Sequence, residues 1–266
     1  MSAVSAVDRP NEPCSKTHLV MIPSYNPGPR GVETLRSARA LWCPVWVIVD
    51  GSTDGSRERF EAIARGDPGV RVLVLERNGG KGAAVLHGIR RAAQEGFTHV
   101  LTMDSDDQHP AQSIGQFMNL SRENPSRMIL GVPEFGADAP QLRVRGRRIS
   151  NWWANLETLG VGIGDSLFGF RVYPIKPLLR VMEQNRWMRR FDFDPEAAVR
   201  LCWEGVRPVN VRAPVRYMSR EAGGVSHFRY VRDNLVLTWM HVRLMVGFTL
   251  RLPQLLWRRA RGRDRD

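Results

Sequence analysis

Four short apolar runs punctuate the first part of the chain, at residues 19–22, 45–49, 70–75 and 98–103. Between them lie stretches with helical periodicity, at 32–41, 56–64 and 81–94. A strand that is apolar on both faces must be covered on both, so this alternation predicts a parallel sheet with helices on either side. Sheets of that kind bind ligands beyond the carboxyl ends of their strands. Each run here ends in polar, turn-forming residues: Pro23-Ser24-Tyr25-Asn26, Asp50-Gly51-Ser52-Thr53-Asp54-Gly55, Arg77-Asn78-Gly79-Gly80, and Asp104-Ser105-Asp106-Asp107-Gln108-His109-Pro110. Side chains that carry chemistry are therefore expected along one edge of the sheet.

The last of these clusters is the most specific. Asp104, Asp106 and Gln108 alternate along the chain, which in an extended or turning segment aims hard oxygen ligands at one spot. Mg²⁺ and Mn²⁺ favour such ligands, usually one or two carboxylates plus substrate phosphates. The plainer alternative is an Asp-rich helix start before Pro110. Asp50 can accept hydrogen bonds from a pyrimidine N–H or from ribose hydroxyls; an Asp-Gly turn and a helix cap are the competing roles for Asp50 and Asp54. Asn78-Gly79-Gly80-Lys81 is not a Walker loop, because Gly82 stands where that motif needs Ser or Thr. It still places backbone N–H groups and Lys81 at a helix start, where anions are favoured.

The second half is less regular. Strands are expected at 127–131 and 209–215, helices at 148–159 and 195–203, and a turn-rich segment at 164–171. A long apolar helix is expected from 230 to 252, stopped or kinked at Pro253. It carries His241, Arg243 and Arg251, and no uncharged stretch reaches roughly 18 residues, so it reads as a surface helix. At about 100° per residue, Arg232, Arg243, Arg251 and Arg258 share one sector, which suits an anionic membrane surface. A helix packed on the domain with a basic outer edge is the alternative. The net charge of +12 calls for an anionic partner, and no nucleic-acid-binding module is present to take it. Cys14, Cys43 and Cys202 are odd in number and widely spaced; they suggest neither disulfides nor zinc, and hence a reducing cytosol.

Taken together, these residues resemble glycosyltransferase family 2, and within it the dolichol- or polyprenyl-phosphate sugar transferases. The likeness covers 18–228, leaving 1–17 as a loose arm and 229–266 as an amphipathic basic C-terminal helix and tail. It implies an α/β GT-A fold, a Rossmann-like, mostly parallel sheet flanked by helices. It also implies a UDP- or GDP-sugar donor, Mg²⁺ or Mn²⁺, and inversion at the anomeric carbon. Pro23, Tyr25, Asn26, Asp50, Ser52, Asp54, Asn78, Lys81, Asp104 and Ser105 fall at the positions that bind the nucleotide sugar, and Asp104, Asp106 and Gln108 at those of the metal ligands. Asp165 and Arg171, in Asp165-Ser166-Leu167-Phe168-Gly169-Phe170-Arg171, resemble the acceptor-side motif, where Arg171 could hold a phosphate or carboxylate; buried pairing with Asp165 is the alternative. Asp194 occupies the place of the catalytic carboxylate, with Asp192 beside it. Helix capping before Pro195 is the plainer role for Asp194. Lipid-phosphate transferases often end the domain with Arg…Gly-Glu-Ser-Lys; here Arg220 is followed by His227, a group mostly neutral near pH 7.

The reading that follows is an inverting, metal-dependent glycosyltransferase at the inner face of the membrane. Asp194 takes the proton from a hydroxyl of a lipid-like acceptor. Transfer to a polyprenyl phosphate, which is already ionised and needs no base, is the alternative. A nucleotidyltransferase would carry a Gly-rich basic loop after the first strand, where Pro23-Ser24-Tyr25-Asn26 stands instead. A non-catalytic relative would show gaps among the acidic positions, and Asp50, Asp104, Asp106 and Asp194 are all present.

Overall fold

The computed structural model describes residues 13–107, 109–135, 141–215 and 230–261. β1 (His18–Ser24), α1 (Pro29–Leu41), β2 (Val45–Asp50), α2 (Ser56–Gly66), β3 (Val70–Leu75), α3 (Lys81–Gln94) and β4 (His99–Thr102) form the alternating half that the apolar runs predicted. They are followed by α4 (Ile114–Glu123), β5 (Met128–Glu134), α5 (Gln141–Leu156), β6 (Arg171–Pro174), α6 (Ile175–Glu183), α7 (Phe193–Trp203), β7 (Pro208–Pro214) and α8 (Tyr230–Ala260). The strands form one sheet in the order β3-β2-β1-β4-β6-β5-β7, parallel except for β6, which runs against both of its neighbours. β1 is buried along its whole length. Its alternate residues serve opposite layers, as the pleat requires. Leu19 and Met21 pack with α3, α6, α7 and α8, while Val20 and Ile22 pack with α1, α2 and α4. The result is the expected three-layer GT-A architecture.

Three expectations are narrowed or corrected. Of the stop or kink expected at Pro253, the stop is excluded, since α8 runs through it to Ala260. Cys14 and Cys43 form a disulfide, with Cα atoms 4.6 Å apart. β1 and β2 are parallel neighbours, so the segments leading into them lie side by side, and the Ser15 N–H donates to the Cys43 carbonyl at 2.8 Å. Linear spacing conceals that proximity, and the cysteines no longer argue for a reducing compartment.

The third correction concerns the face of α8. Arg243, Arg251 and Arg258 point at the domain, not away from it. Arg243 Nη2 lies 3.1 Å from Glu196 Oε2, the Arg251 guanidinium stands 4.9 Å from the Trp203 ring, and Arg258 Nη1 donates to the Trp203 carbonyl at 2.6 Å. The outward face is apolar instead, with Leu235, Trp239, Val242, Val246 and Leu250 exposed. By length and composition, Asp233–Ala260 could cross a membrane. Its inner side, through Met240, Leu244, Phe248 and Leu255, is buried on the domain.

Candidate active site

The loops after β1, β2 and β3 are tied to one another by their own polar groups. Asn26, at φ 44°, accepts from the Thr53 N–H at 2.7 Å through Oδ1, and its own N–H donates to Ser52 Oγ at 3.0 Å. Asp54 accepts from the Gly28 N–H at 2.8 Å and from the Ser56 N–H at 3.1 Å. Its burial works against ionisation, but these hydrogen bonds outweigh it and hold the carboxyl below its ordinary range. Asp54, one residue before the Gly55 N-cap of α2, thus holds the first N–H of that helix and also bridges two loops. Asp50 is buried, and its oxygens accept from the N–H groups of Gly79 and Gly80, both at 2.8 Å, and from Asn78 Nδ2 at 3.1 Å. Burial pushes its carboxyl up despite those bonds. Pro23 is buried at the end of β1 and Tyr25 is partly exposed beyond it.

The centre of the edge is a cluster that sequence spacing does not reveal. Lys81 Nζ lies 2.6 Å from Asp104 Oδ1 and 2.6 Å from Asp194 Oδ2. Lys81 opens α3, Asp104 follows β4, and Asp194 sits in the first turn of α7. Burial opposes the charge on Lys81, but the two carboxylates override it and raise the ammonium above its usual range. Burial likewise pushes Asp104 up, and Lys81 reverses that, holding the carboxyl at about 2. The Asp104 N–H donates to His109 Nδ1 at 2.9 Å, so the ring proton is on Nε2, which faces Asp104 Oδ2 at 3.5 Å. Burial lowers His109 to about 4, leaving it neutral. A Cβ at Gly169 would stand 2.8 Å from Asp104 Oδ2 and still closer to Lys81, so only glycine leaves this space open.

Asp194 Oδ1 is buried and has no hydrogen-bond partner among the described residues. Buried polar atoms are nearly always satisfied, so an orphan of this kind marks room for a ligand group. Asp104, Ser105 and Asp106 are all partly exposed at the strand end. The partly exposed carboxylates of Asp104 and Asp106 are donors of the kind a hard divalent ion takes, although Lys81 already engages Asp104 Oδ1. No cluster of three His, Cys, Asp or Glu ligands occurs among the described residues. Gln108, Arg220 and His227 lie outside the described residues.

Two acceptor-side expectations change. Arg171 is wholly buried and donates to the carbonyls of Phe168, Asp165 and Asp194 and to the Tyr173 hydroxyl. Those bonds make it an internal strut holding the backbone of Asp194, not a hand for an acceptor anion. Asp165 is also spent internally, accepting from Arg147 at 2.7 Å and from the N–H groups of Leu167 and Phe168. Asp192 is a neighbour of the cluster and not a member. Its carboxylate accepts from the N–H groups of Met188 and Arg190 and faces Arg243. Arg147, Gly169 and His109 were not singled out for these roles; the only signals were an Arg-rich run, the Gly-Phe-Arg step and a His at the edge of the acidic cluster.

A GT-A fold with these loops and this acidic centre defines a sugar-transferring enzyme. The glycosyl transferase family 2 profile matches residues 19–186, and the chain belongs to glycosyltransferase family 2. It is 28% identical over 227 residues to the polyprenol monophosphomannose synthase of Mycolicibacterium smegmatis, covering 77% of this chain and 78% of that protein. It is 28% identical over 188 residues to the undecaprenyl-phosphate 4-deoxy-4-formamido-L-arabinose transferase of Serratia proteamaculans, covering 66% and 55%. The fold is also that of glucosyl-3-phosphoglycerate synthase from Mycobacterium tuberculosis, solved with Mn²⁺, UDP and phosphoglyceric acid. That match has a TM-score of 0.63 at 17% identity, over 88% of this chain and 78% of the other.

Proposed function

We propose that this enzyme moves a sugar from a nucleoside diphosphate onto a polyprenyl phosphate at a membrane surface, with inversion. The observation that carries the reading is the Lys81 ammonium set 2.6 Å from both Asp104 and Asp194. One carboxylate oxygen of Asp194 is thereby engaged by a cation, and a phosphate acceptor, already ionised, needs no base. The curated relatives named above take polyprenyl phosphates by name, which supports the same acceptor class. The loops around Asn26, Ser52 and Asp50 would hold the nucleoside, and Asp104 and Asp106 would hold Mg²⁺ or Mn²⁺. When bound, that ion offsets the charge growing on the departing diphosphate. Lys81 holds Asp104 ionised and in place, and Gly169 keeps the space beside it clear. The acceptor phosphate oxygen forms the new bond to the anomeric carbon as the bond to the nucleoside diphosphate breaks. The exposed apolar face of α8 would rest against the lipid that carries the acceptor.

A second reading, transfer to a hydroxyl with Asp194 as base, is favoured by one observation, the unpartnered Asp194 Oδ1. Asp194→Asn separates the two. With Mn²⁺, a panel of UDP- and GDP-sugars and polyprenyl phosphate in vesicles, the variant should keep transfer within about tenfold of wild type. A loss of roughly 10²–10⁴ would assign Asp194 as a base and favour the hydroxyl. No transfer to polyprenyl phosphate from any of these donors by the wild-type enzyme would overturn the main reading.

A further inference from the structure

The acidic turn that opens α7 is held from two sides. Asp194 goes to Lys81, while its neighbours on either side go to the C-terminal helix. Arg243 Nη2 lies 3.1 Å from Glu196 Oε2 and 3.7 Å from Asp192 Oδ2, and its guanidinium stacks 4.1 Å from the Trp187 ring. Glu196 is completely buried; its other oxygen accepts from Arg200 Nε at 2.7 Å. Asp192 in turn fixes the preceding turn by accepting from the N–H groups of Met188 at 3.3 Å and Arg190 at 3.0 Å. That turn lies directly on the start of α3, where the Ala83 N–H donates to the Arg189 carbonyl at 3.0 Å. A Cβ on Gly82 would meet Met188, and one on Gly80 would stand 2.8 Å from Arg190. One unbroken set of contacts therefore joins Arg243 to the backbone that carries Lys81.

We propose that Arg243 is a positioning residue for the reaction centre, fixing the 188–196 turn and through it the start of α3, which sets Lys81 against Asp104. It stands beyond residue 186, where the family match ends, on the same helix that exposes an apolar face. The inference rests on reading the Lys81–Asp104–Asp194 cluster as the place where the diphosphate leaves. The loops that would hold the nucleoside are tied together through Asn26, Ser52, Asp54 and Gly28, and Asp50 is held by Asn78 and the N–H groups of Gly79 and Gly80; these bonds do not run through the 188–196 turn. Loosening the turn should therefore slow turnover and spare donor binding. A misplacement of about 1 Å in a reacting group can cost on the order of 10²-fold in rate.

The test is Arg243→Met, with Arg243→Lys as the charge-conserving variant and Trp187→Leu as a milder one that spares every buried carboxylate. Each is followed by amide hydrogen exchange and by kcat and KM for the donor, per folded molecule. Exchange at Ala83, Met188 and Arg190 should rise at least tenfold in Arg243→Met and less in Trp187→Leu. The kcat should fall about 10²-fold with donor KM within threefold, and Arg243→Lys should recover part of the loss. Unchanged exchange at these three amides overturns the inference even if the donor has not been identified. So does a kcat within threefold of wild type. Should Arg243→Met not fold, the same criteria apply to Trp187→Leu and Arg243→Lys. Absence of sugar transfer by the wild-type enzyme overturns the functional reading instead, and leaves the exchange result to decide this one.

Discussion

Replacing Lys81 by methionine removes the cation that lies 2.6 Å from each of two carboxylates contributed by separate elements. Stripping one partner from a buried ion pair costs about 3–5 kcal/mol, because the remaining charge keeps its desolvation penalty. The Asp104 side chain is 36% exposed, against 8% for Asp194, so water recovers part of that cost at Asp104. The lower end, about 3 kcal/mol, is the expected loss. For a chain of this size each kcal/mol is worth roughly 2–4 °C, giving a Tm lower by about 6–12 °C.

The pH dependence gives the check. Lys81 overrides burial and depresses Asp104 to about 2 in the folded protein, below the ordinary carboxylate value of about 3.9. A depressed folded pKa contributes stability that is complete above the unfolded value and is lost as pH falls through the folded one. Wild type therefore gives up this contribution between about pH 4 and pH 2, whereas Lys81→Met never has it. Circular-dichroism melts at pH 7, 4 and 2.5 should show a gap between the two proteins that is widest at pH 7. It is already smaller at pH 4, where the carboxylates that burial pushes up in Lys81→Met have taken up protons, and smallest at pH 2.5. A variant that melts within about 2 °C of wild type at pH 7 would refute the reasoning, as would a gap that stays constant to pH 2.5.

Two further variants, one single and one double, test the packing beside this centre and the outer face of α8. Gly82→Ala, inside α3, would ordinarily stabilise a helix by about 1 kcal/mol; here the new Cβ meets the Met188 backbone, 2.8 Å from its carbonyl carbon, so a lowered Tm is expected, and a raised one would show that the 188–190 turn does not abut α3. Val246→Glu and Leu250→Glu lie on the outward face of α8, at 59% and 78% exposure. Together they should leave Tm nearly unchanged yet abolish sedimentation with phosphatidylglycerol vesicles; undiminished sedimentation would remove that face from the lipid contact.

Sequence revealed this protein unevenly, and the reasons are physical. Runs such as 45–49 are apolar on both faces and short, a combination that suits a covered parallel strand, so the first half of the sheet was legible. α6 was not foreseen; Pro177 in its first turn interrupts the pattern a helix would otherwise show. Asp50 and Asp54 were legible as polar residues at strand ends. Their hydrogen bonds, which join one loop to the next, depend on how close parallel strands bring those loops. Lys81 and Asp194 are separated by 113 positions, and nothing in their spacing says that one ammonium serves both Asp194 and Asp104. Arg171 looked like an anion ligand because arginine commonly is one. Its burial, among the carbonyls of Phe168, Asp165 and Asp194, is a property of the packed chain.

α8 shows most clearly what periodicity can and cannot decide. A period of about 100° per residue correctly groups Arg243, Arg251 and Arg258 on one sector, but it carries no sign: the sector can face lipid headgroups or the protein. The partners decide it. Glu196 and Asp192 supply carboxylates, and Trp203 supplies both an aromatic face and a carbonyl, so the arginines are satisfied inward. The face left outside is then the one formed by Leu235, Trp239, Val242, Val246 and Leu250. A membrane contact built this way draws on buried apolar area more than on attraction to anionic headgroups, and so should persist in salt that screens surface charge. The same reversal brings Arg243 against the turn of Asp194. One helix thereby carries both the exposed apolar surface and the support of the 188–196 turn.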